Sequence, residues 1–309
     1  MKKIYLLLLV IGVAFGSCKK DSNDDPKNKD PEKDPIAGCM DEMAQNYNAE
    51  ATEDDGNCEY LAATTSEKRK VVLEDFTGVK CQWCPDGHRR ALELQASYPD
   101  DVILLAVHAK AYGTPYGSDP NLVTSYADAL VLQSRVAGYP AGTVNRYQFN
   151  ASKGAAPYFA QNDNGLALSR GGWKPAGQYV LDLSSPVNVA VKSEYDEASK
   201  TATITTELYY TESVGSTNKL NVAITESGIM TKQAEAGKGI VDYQQDNVLR
   251  ELVTGQWGED ISETEAGTRI QRTHTYTVQS EQVLENLEVV VFVAEGQENI
   301  YTGARTSLK

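Results

Sequence analysis

The stretch from Val71 to His108, VVLEDFTGVKCQWCPDGHRRALELQASYPDDVILLAVH, decides how the surrounding chain folds. It opens with a β-branched run and closes with the apolar run VILLAV, and both runs predict buried strands. Between them Pro85 suits a first helical turn, and the segment ALELQA predicts a helix with one apolar side. The order is therefore strand, C-x-x-C, helix, strand, which is the context that a redox-active cysteine pair requires.

Cys81 and Cys84 stand at the start of the predicted helix, where unpaired N–H groups and the helix dipole stabilise a thiolate. We expect Cys81, at the exposed end, to attack a substrate disulfide and Cys84, one turn deeper, to resolve the mixed disulfide. A zinc site is disfavoured, because zinc takes four ligands and the sequence has no second C-x-x-C or histidine pair. A purely structural disulfide is the alternative that the residues leave open.

The stretch VVLEDFTGVKCQWCP, with GYPAGTVNR at residues 138–146, resembles thioredoxin-like thiol–disulfide oxidoreductases. It is more similar to the outer membrane protein 28 family of Bacteroidetes lipoproteins, whose signature is E-D-[FY]-T-G-x-x-C-x-x-C-P. The resemblance covers about residues 70–309. It implies a thioredoxin-like domain followed by a β-rich half, and it implies thiol–disulfide exchange as the activity.

The resemblance also assigns roles to residues near the cysteine pair. Asp75 matches the buried acid of thioredoxins, which relays a proton to or from the resolving thiol. Glu74 precedes it, and strand alternation lets only one of these two acids face inward, so that choice stays open. Pro140 matches a cis-proline that leaves the backbone of Tyr139 free to bind a substrate peptide. Trp83, within a Gln-Trp pair instead of Gly-Pro, offers an apolar surface that either serves docking or covers the site.

From Pro186 onward, apolar and polar residues alternate. Runs such as VNVAVK, TATITT, LNVAIT, THTYTV and LEVVVFV predict five or six short strands. The predicted fold class is thus an α/β thioredoxin-like domain at residues 61–185, followed by an all-β Ig-like sandwich domain at residues 186–309. A long excursion within the second domain carries Arg250 and Trp257, which are either binding residues or structural residues, with Trp257 packed under the loop.

The N-terminus predicts export. Two lysines precede an apolar run of 12 residues, which is too short to span a bilayer comfortably, and Gly-Ser-Cys18 follows. This end resembles the lipobox of bacterial lipoproteins, which implies a signal peptide at residues 1–17 and a lipid anchor on Cys18. Residues 18–37 have almost no apolar side chains and predict a disordered tether. We expect an outer membrane lipoprotein of the cell envelope, and its periplasmic or surface-facing orientation stays open.

Residues 38–60 form a small acidic module with a cysteine near each end. In an exported chain, Cys39 and Cys58 are most simply a disulfide, worth about 3 kcal/mol in the chain-entropy model. The module faintly resembles calcium-binding repeats, but it is a single copy without D-x-D-x-D spacing, so we favour a solvated turn. The weak calcium candidates are Asp41, Asn46, Asn48, Asp54 and Asp55.

Composition limits the remaining functions. The chain has 309 residues and a net charge of -14, with no basic stripe, which argues against nucleic acid as a partner. Three histidines argue against a His-rich metal site, and a lone His108 at a strand end is more often a polar cap than a catalyst. We expect no cofactor, and either protein thiols and disulfides as substrates or, for a non-enzymatic scaffold, a surface protein as partner. Fold alone does not choose between these two functions.

Overall fold

The computed structural model describes residues 34–150, 156, 158–162 and 165–309. The predicted signal peptide, Cys18 and the first sixteen residues of the predicted tether (18–33) lie outside the described residues. Within that part of the chain, no helix is long and apolar enough to cross a membrane.

Helices are few and strands are many in the described residues. The helices are α1 (Cys84–Ser97), α2 (Lys110–Gly113), α3 (Ala127–Ser134) and α4 (Trp173–Leu181). The first eight strands are β1 (Ala37–Gly38), β2 (Glu53–Asp54), β3 (Val71–Thr77), β4 (Val102–His108), β5 (Ala141–Val144), β6 (Leu168–Ser169), β7 (Val187–Asp196) and β8 (Thr201–Tyr210). The others are β9 (Asn218–Glu226), β10 (Ile229–Glu235), β11 (Gly239–Gln245), β12 (Val248–Leu252), β13 (Glu259–Ile261), β14 (Arg269–Thr277), β15 (Leu287–Glu295) and β16 (Glu298–Ser307).

The two predicted buried strands, β3 and β4, lie inside a nine-stranded sheet. Its order is β16-β15-β9-β12-β4-β3-β5-β6, and β13 also pairs with β9. β3 and β4 run parallel in continuous register, and α1 makes the connection between them. Every residue of both strands is buried, as their unbroken apolar runs predict for strands covered on both faces.

Different elements cover the two faces of β3. On one face Leu73 packs with Leu94 of α1 and Trp173 of α4. On the other face Phe76 packs with Leu130 of α3 and with side chains from the C-terminal strands. Successive residues of β3 therefore face two separate cores, which decides the surroundings of each acidic residue on this strand.

The sheet runs through the boundary predicted at residue 186. β4 pairs in parallel with β12 at Ala106 and Val248, and β12 pairs with β9 of the second half. The two halves therefore share one sheet. The physical reason is that β9 and β15 are buried on both faces, so each of them needs a covering layer on both sides. The first half of the chain covers one of these faces, where Phe292 of β15 packs with Phe76.

A second layer covers the other face of the C-terminal strands. β7, β8 and β14 form a three-stranded antiparallel sheet in the order β14-β8-β7. Ile204 and Tyr210 of this layer share one apolar core with Leu220 of β9 and Val291 of β15. The C-terminal half is thus β-rich and layered, as the period-two runs predict, and the Ig-like topology stays a prediction.

The small acidic module is joined to this second layer. Cys39 and Cys58 form a disulfide with an S–S distance of 2.01 Å. The Arg269 guanidinium lies 3.7 Å from the centre of the Tyr60 ring, and it pairs with the fully buried carboxylate of Glu207. Because Glu207 lies on β8 and Arg269 on β14, the pair fixes the module to the three-stranded sheet.

One buried side chain joins the two halves of the chain. Asn145 follows β5 with a left-handed φ of 51°. Its Oδ1 accepts the N–H of Val72 at 2.9 Å, and its Nδ2 donates to the carbonyls of Lys70 at 2.9 Å and Ile300 at 3.1 Å. The side chain therefore connects β3 and β16 through its buried bonds to Val72 and Ile300.

We predict that Asn145→Gly lowers the free energy of unfolding by about 2–4 kcal/mol, because it leaves buried N–H and C=O groups unpaired. Glycine keeps the left-handed backbone, so the loss reports the side-chain bonds. Urea denaturation measures it. The control is Lys200→Gly. Lys200 is exposed and also has a left-handed φ, of 54°, so this substitution should change the free energy of unfolding by less than about 1 kcal/mol. Equal effects of the two variants would contradict the role of the amide.

Candidate functional site

The cysteine pair forms a disulfide at the beginning of α1. The S–S distance between Cys81 and Cys84 is 2.15 Å and their Cα atoms are 5.4 Å apart. Cys84 is the first residue of the helix and Pro85 follows it, so the missing N–H of proline falls where no intrahelical acceptor exists. The sulfur of Cys84 therefore lies at the positive end of the helix dipole, which favours a thiolate whenever the disulfide is reduced.

Cys81 is not at an exposed end, contrary to the expectation from the sequence. Only 4% of Cys81 and 2% of Cys84 is exposed. The reason is the hairpin of β10 and β11, which comes from the second half of the chain and lies along residues 78–82. The sequence predicted a loop excursion in that region, because the hairpin lacks a strong apolar alternation.

Asp75 is the acid that faces the disulfide. Its side chain lines a cavity of about 10 Å³, roughly the volume of one water molecule, together with Cys84 and His88. Burial raises the pKa of Asp75 to about 8, and its Oδ1 has no hydrogen-bond partner among the described residues. A carboxyl group with this pKa holds its proton at pH 7 and can exchange it near neutral pH.

Glu74 points to the opposite face of β3, where its negative charge is paired with the positive charge of Arg146. Its carboxylate accepts two bonds from the buried Arg146 guanidinium, at 2.6 and 2.9 Å, and one from Thr143 Oγ1 at 2.6 Å. Burial by itself would raise the pKa of Glu74, but the Arg146 charge and these bonds outweigh it and lower that pKa. Glu74 is therefore a charged structural group, and the choice that the sequence left open falls on Asp75.

Pro140 lies against the first turns of α1. The Tyr139–Pro140 peptide bond is cis, and a Cβ placed on Gly87 of α1 would come within 2.8 Å of the proline ring. Pro140 therefore lies beside the helix turn that follows Cys84. The ring of Tyr139 contacts that of Tyr112, with centroids 5.2 Å apart.

Trp83 is half exposed beside the disulfide, with 51% of its surface accessible. The Arg170 guanidinium lies 5.8 Å from the centre of its ring, and Arg170 also pairs with Asp86 in the first turn of α1. An exposed indole held from one side offers apolar surface for contact with another molecule. The docking role of Trp83 stays a prediction.

Two histidines near the disulfide were not assigned to the site from the sequence. His88 follows Cys84 by four residues on α1, and that spacing is the signal that could have found it. Its Nδ1 shares a 2.9 Å hydrogen bond with Tyr243 Oη of the hairpin, and burial lowers its pKa. His108 ends β4 in register with Thr77, and burial lowers its pKa to about 4. Both rings are therefore neutral at pH 7.

The remaining candidate residues lie elsewhere. Arg250 pairs with Glu226 at 3.3 Å, and Trp257 packs against a buried apolar core. In the acidic module, the side-chain oxygens of the five calcium candidates accept bonds from nearby N–H or O–H groups of the same module. No group of three or more His, Cys, Asp or Glu side chains in the described part of the chain is arranged to hold a metal ion.

Known proteins resemble this chain in sequence and in fold. The family model described as outer membrane protein Omp28 matches residues 127–305. The structure of HBP35 of Porphyromonas gingivalis is similar, with a TM-score of 0.61, 19% identity and coverage of 79% of this chain and 76% of that chain. A domain of the outer membrane lipoprotein Omp28 from Porphyromonas gingivalis gives a TM-score of 0.29 and 21% identity, covering 40% of this chain and 89% of that domain. No curated protein matches this chain.

The likeness to HBP35, at that identity, shows a shared fold. The family match carries more weight, because it spans more than half of the chain and ends within β16. The chain therefore belongs to the outer membrane protein Omp28 family and is an outer membrane lipoprotein.

Proposed function

We propose that this lipoprotein exchanges thiols and disulfides with other proteins of the cell envelope, through Cys81 and Cys84 in a thioredoxin-like unit. The observation that carries the proposal is the placement of Asp75, a buried carboxyl with a pKa of about 8, beneath a disulfide at a helix N-terminus. Perturbed acids beside a reactive group are typical of catalytic sites. In this proposal, the lipid on Cys18 holds the protein to the membrane.

The thioredoxin-like assignment has further support from the order of elements. β3, α1 and β4 form a parallel crossover, β5 follows antiparallel to β3, and α4 packs on the same face as α1. Pro140 at the start of β5 lies beside α1. This arrangement brings the cysteine pair, the buried acid and the proline to one end of the sheet, as the resemblance implies.

The proposed chemistry uses these groups in turn. In the reducing direction, the Cys81 thiolate attacks one sulfur of a substrate disulfide, forms a mixed disulfide and releases the other sulfur as a thiolate. Asp75, after releasing its own proton to solvent, takes the proton of the Cys84 thiol. The Cys84 thiolate then attacks Cys81 Sγ and releases the second substrate sulfur, so the protein is oxidised to its disulfide. The two substrate thiolates take one proton from Asp75 and one from solvent, and the substrate leaves as a dithiol. The reduction potential decides whether this direction or its reverse operates.

A second candidate function is a non-enzymatic binding scaffold with a surface protein as its partner. The observation that favours it is the burial of Cys81, which an unreactive structural disulfide would share. In that case the Cys81–Cys84 disulfide only links the start of α1 to the preceding loop, and the exposed Trp83 contacts the partner without any redox chemistry. The reactivity of the disulfide separates the two functions.

The potential of the Cys81–Cys84 disulfide tests the proposal. We expect a midpoint between about -270 and -120 mV in thiol redox buffers, the range of working oxidoreductases. Cys81→Ser and Cys84→Ser should each abolish reduction of a peptide disulfide. The matched control replaces Cys39 and Cys58 by serine and should leave the potential unchanged. A midpoint below about -300 mV with no exchange would establish the scaffold instead.

Asp75→Asn tests the proton relay. We expect exchange to slow by about 100-fold, the usual contribution of a general acid or base, and the pH dependence near 8 to disappear. Rates of single-turnover exchange between pH 5 and 9 measure both effects. Exchange that keeps its wild-type rate and pH profile in this variant would remove Asp75 from the mechanism.

The stability of wild type relative to the same variant should depend on pH. Below about pH 4, Asp75 is protonated in both the folded and the unfolded chain, so its burial carries no ionisation cost. Between about pH 4 and 8 only the unfolded chain ionises, so wild type loses up to about 1.4 kcal/mol per pH unit relative to Asp75→Asn. Urea denaturation at several pH values measures the difference. Glu74→Gln is the contrast, and it should destabilise the protein by about 3–5 kcal/mol because it strands the Arg146 charge.

A further inference from the structure

The hairpin of β10 and β11 is hydrogen-bonded to the cysteine loop through backbone groups. The N–H of Ala234 donates to Val79 O at 2.8 Å, and the N–H of Ala236 donates to Gln82 O at 2.9 Å. Ala234 lies on β10, and Ala236 is the first residue of the turn that follows this strand. β10 is therefore bonded by backbone groups to the segment that contains Cys81.

A buried amide adds to this contact. Nε2 of Gln233 donates to Cys81 O at 3.1 Å and lies 3.3 Å from Gly78 O. Its Oε1 accepts a 3.0 Å bond from Gln245 of β11, whose Nε2 also lies 3.1 Å from Thr231 Oγ1. The carbonyls around the disulfide thus have their donors from the hairpin.

The fully buried residues of the hairpin are polar, while Ile229 and Tyr243 pack at its margins and are only partly buried. Its three buried residues are Thr231, Gln233 and Gln245. Hydrogen bonds that are exchanged with water contribute less to stability than buried apolar side chains do. These polar residues can therefore be detached and rehydrated at modest cost.

The hairpin also has a narrow attachment to the sheet. Glu226 of β9 and Val248 of β12 are register partners, so the chain leaves and re-enters the sheet at one place. At that base, Gly228 has a φ of +77° and its N–H donates to Asp246 Oδ1 at 2.9 Å. The strands β10 and β11 pair only with each other in the described sheets, so they can move as one unit.

We propose that the turn at residues 78–82 is the docking segment for an extended polypeptide partner, and that β10 occupies this place until the partner displaces it. The inference rests on the proposed function for the identity of the partner as a substrate. An extended polypeptide is the class that fits, because it restores alternate N–H donors to the carbonyls of Val79 and Gln82. A small disulfide brings no such donors and leaves the hairpin in place.

The first test compares two substitutions at one position of the full chain. Ala234→Pro removes the N–H that bonds Val79 O, and the edge position of β10 tolerates proline. Ala234→Val keeps that N–H and is the control. After reduction, alkylation of Cys81 by iodoacetamide, located by peptide mapping, should be about tenfold or more faster in the proline variant than in wild type, because the open fraction limits the rate. The valine variant should match wild type.

The second test supplies the hairpin from outside. A chain joined from Gly228 directly to Asp246 lacks residues 229–245 and should alkylate at least as fast as the proline variant. A synthetic peptide of residues 229–245 should slow this alkylation, and the same peptide N-methylated at positions 234 and 236 should not. If the proline substitution unfolds the hairpin, the excised chain still tests the proposal. If excision unfolds the chain, the proline variant still tests it.

The outcomes separate this proposal from the proposed function. Alkylation that is equally fast in wild type, Ala234→Pro and the excised chain would overturn the docking proposal, whatever the exchange activity. Slowing by the plain and the N-methylated peptide alike would overturn it too, because the backbone donors would not matter. Faster alkylation with no exchange of a peptide disulfide would support docking and reject the redox function alone.

Discussion

The burial of β3 on both faces is the constraint on which the rest of the site depends. Two adjacent acids on this strand, Glu74 and Asp75, must each be accommodated without water. Ionised carboxylates are costly in such surroundings unless they are paired. Glu74 pairs with Arg146 and keeps its charge, whereas Asp75 has no cationic partner among the described residues and burial keeps it protonated. One strand therefore carries a structural ion pair and a titrating acid on opposite sides.

That arrangement extends to the second half of the chain. The sheet must continue beyond β4 because the C-terminal strands are also covered on both faces, and Asn145 bonds the two regions together. The continuous sheet also places β10 and β11 beside the disulfide. The chain leaves the sheet after β9, forms this hairpin, and returns as β12, which is next to β4. The cover over Cys81 and the high pKa of Asp75 thus have one origin, which is the exclusion of water from this end of the sheet.

Much of the first half follows from local patterns. The apolar runs of β3 and β4, the proline after Cys84 and the helix between the strands all appear in contiguous sequence, so the crossover that carries the cysteines was predictable. The hairpin was not, because its buried residues Thr231, Gln233 and Gln245 are polar and acquire their burial only from the loop they cover. The same holds for His88, whose partner Tyr243 lies 155 residues away.

The sequence by itself determined that two cysteines start a helix between two buried strands, and that alternating strands follow. Those features depend on neighbours along the chain, whose spacing sets which side chains can share a face. Only the tertiary structure decided which acid lies under the disulfide, and that Cys81 is covered. Both depend on groups far away in sequence, Arg146 for Glu74 and the β10–β11 hairpin for Cys81, and the strand register that brings them together is a property of the packed sheet.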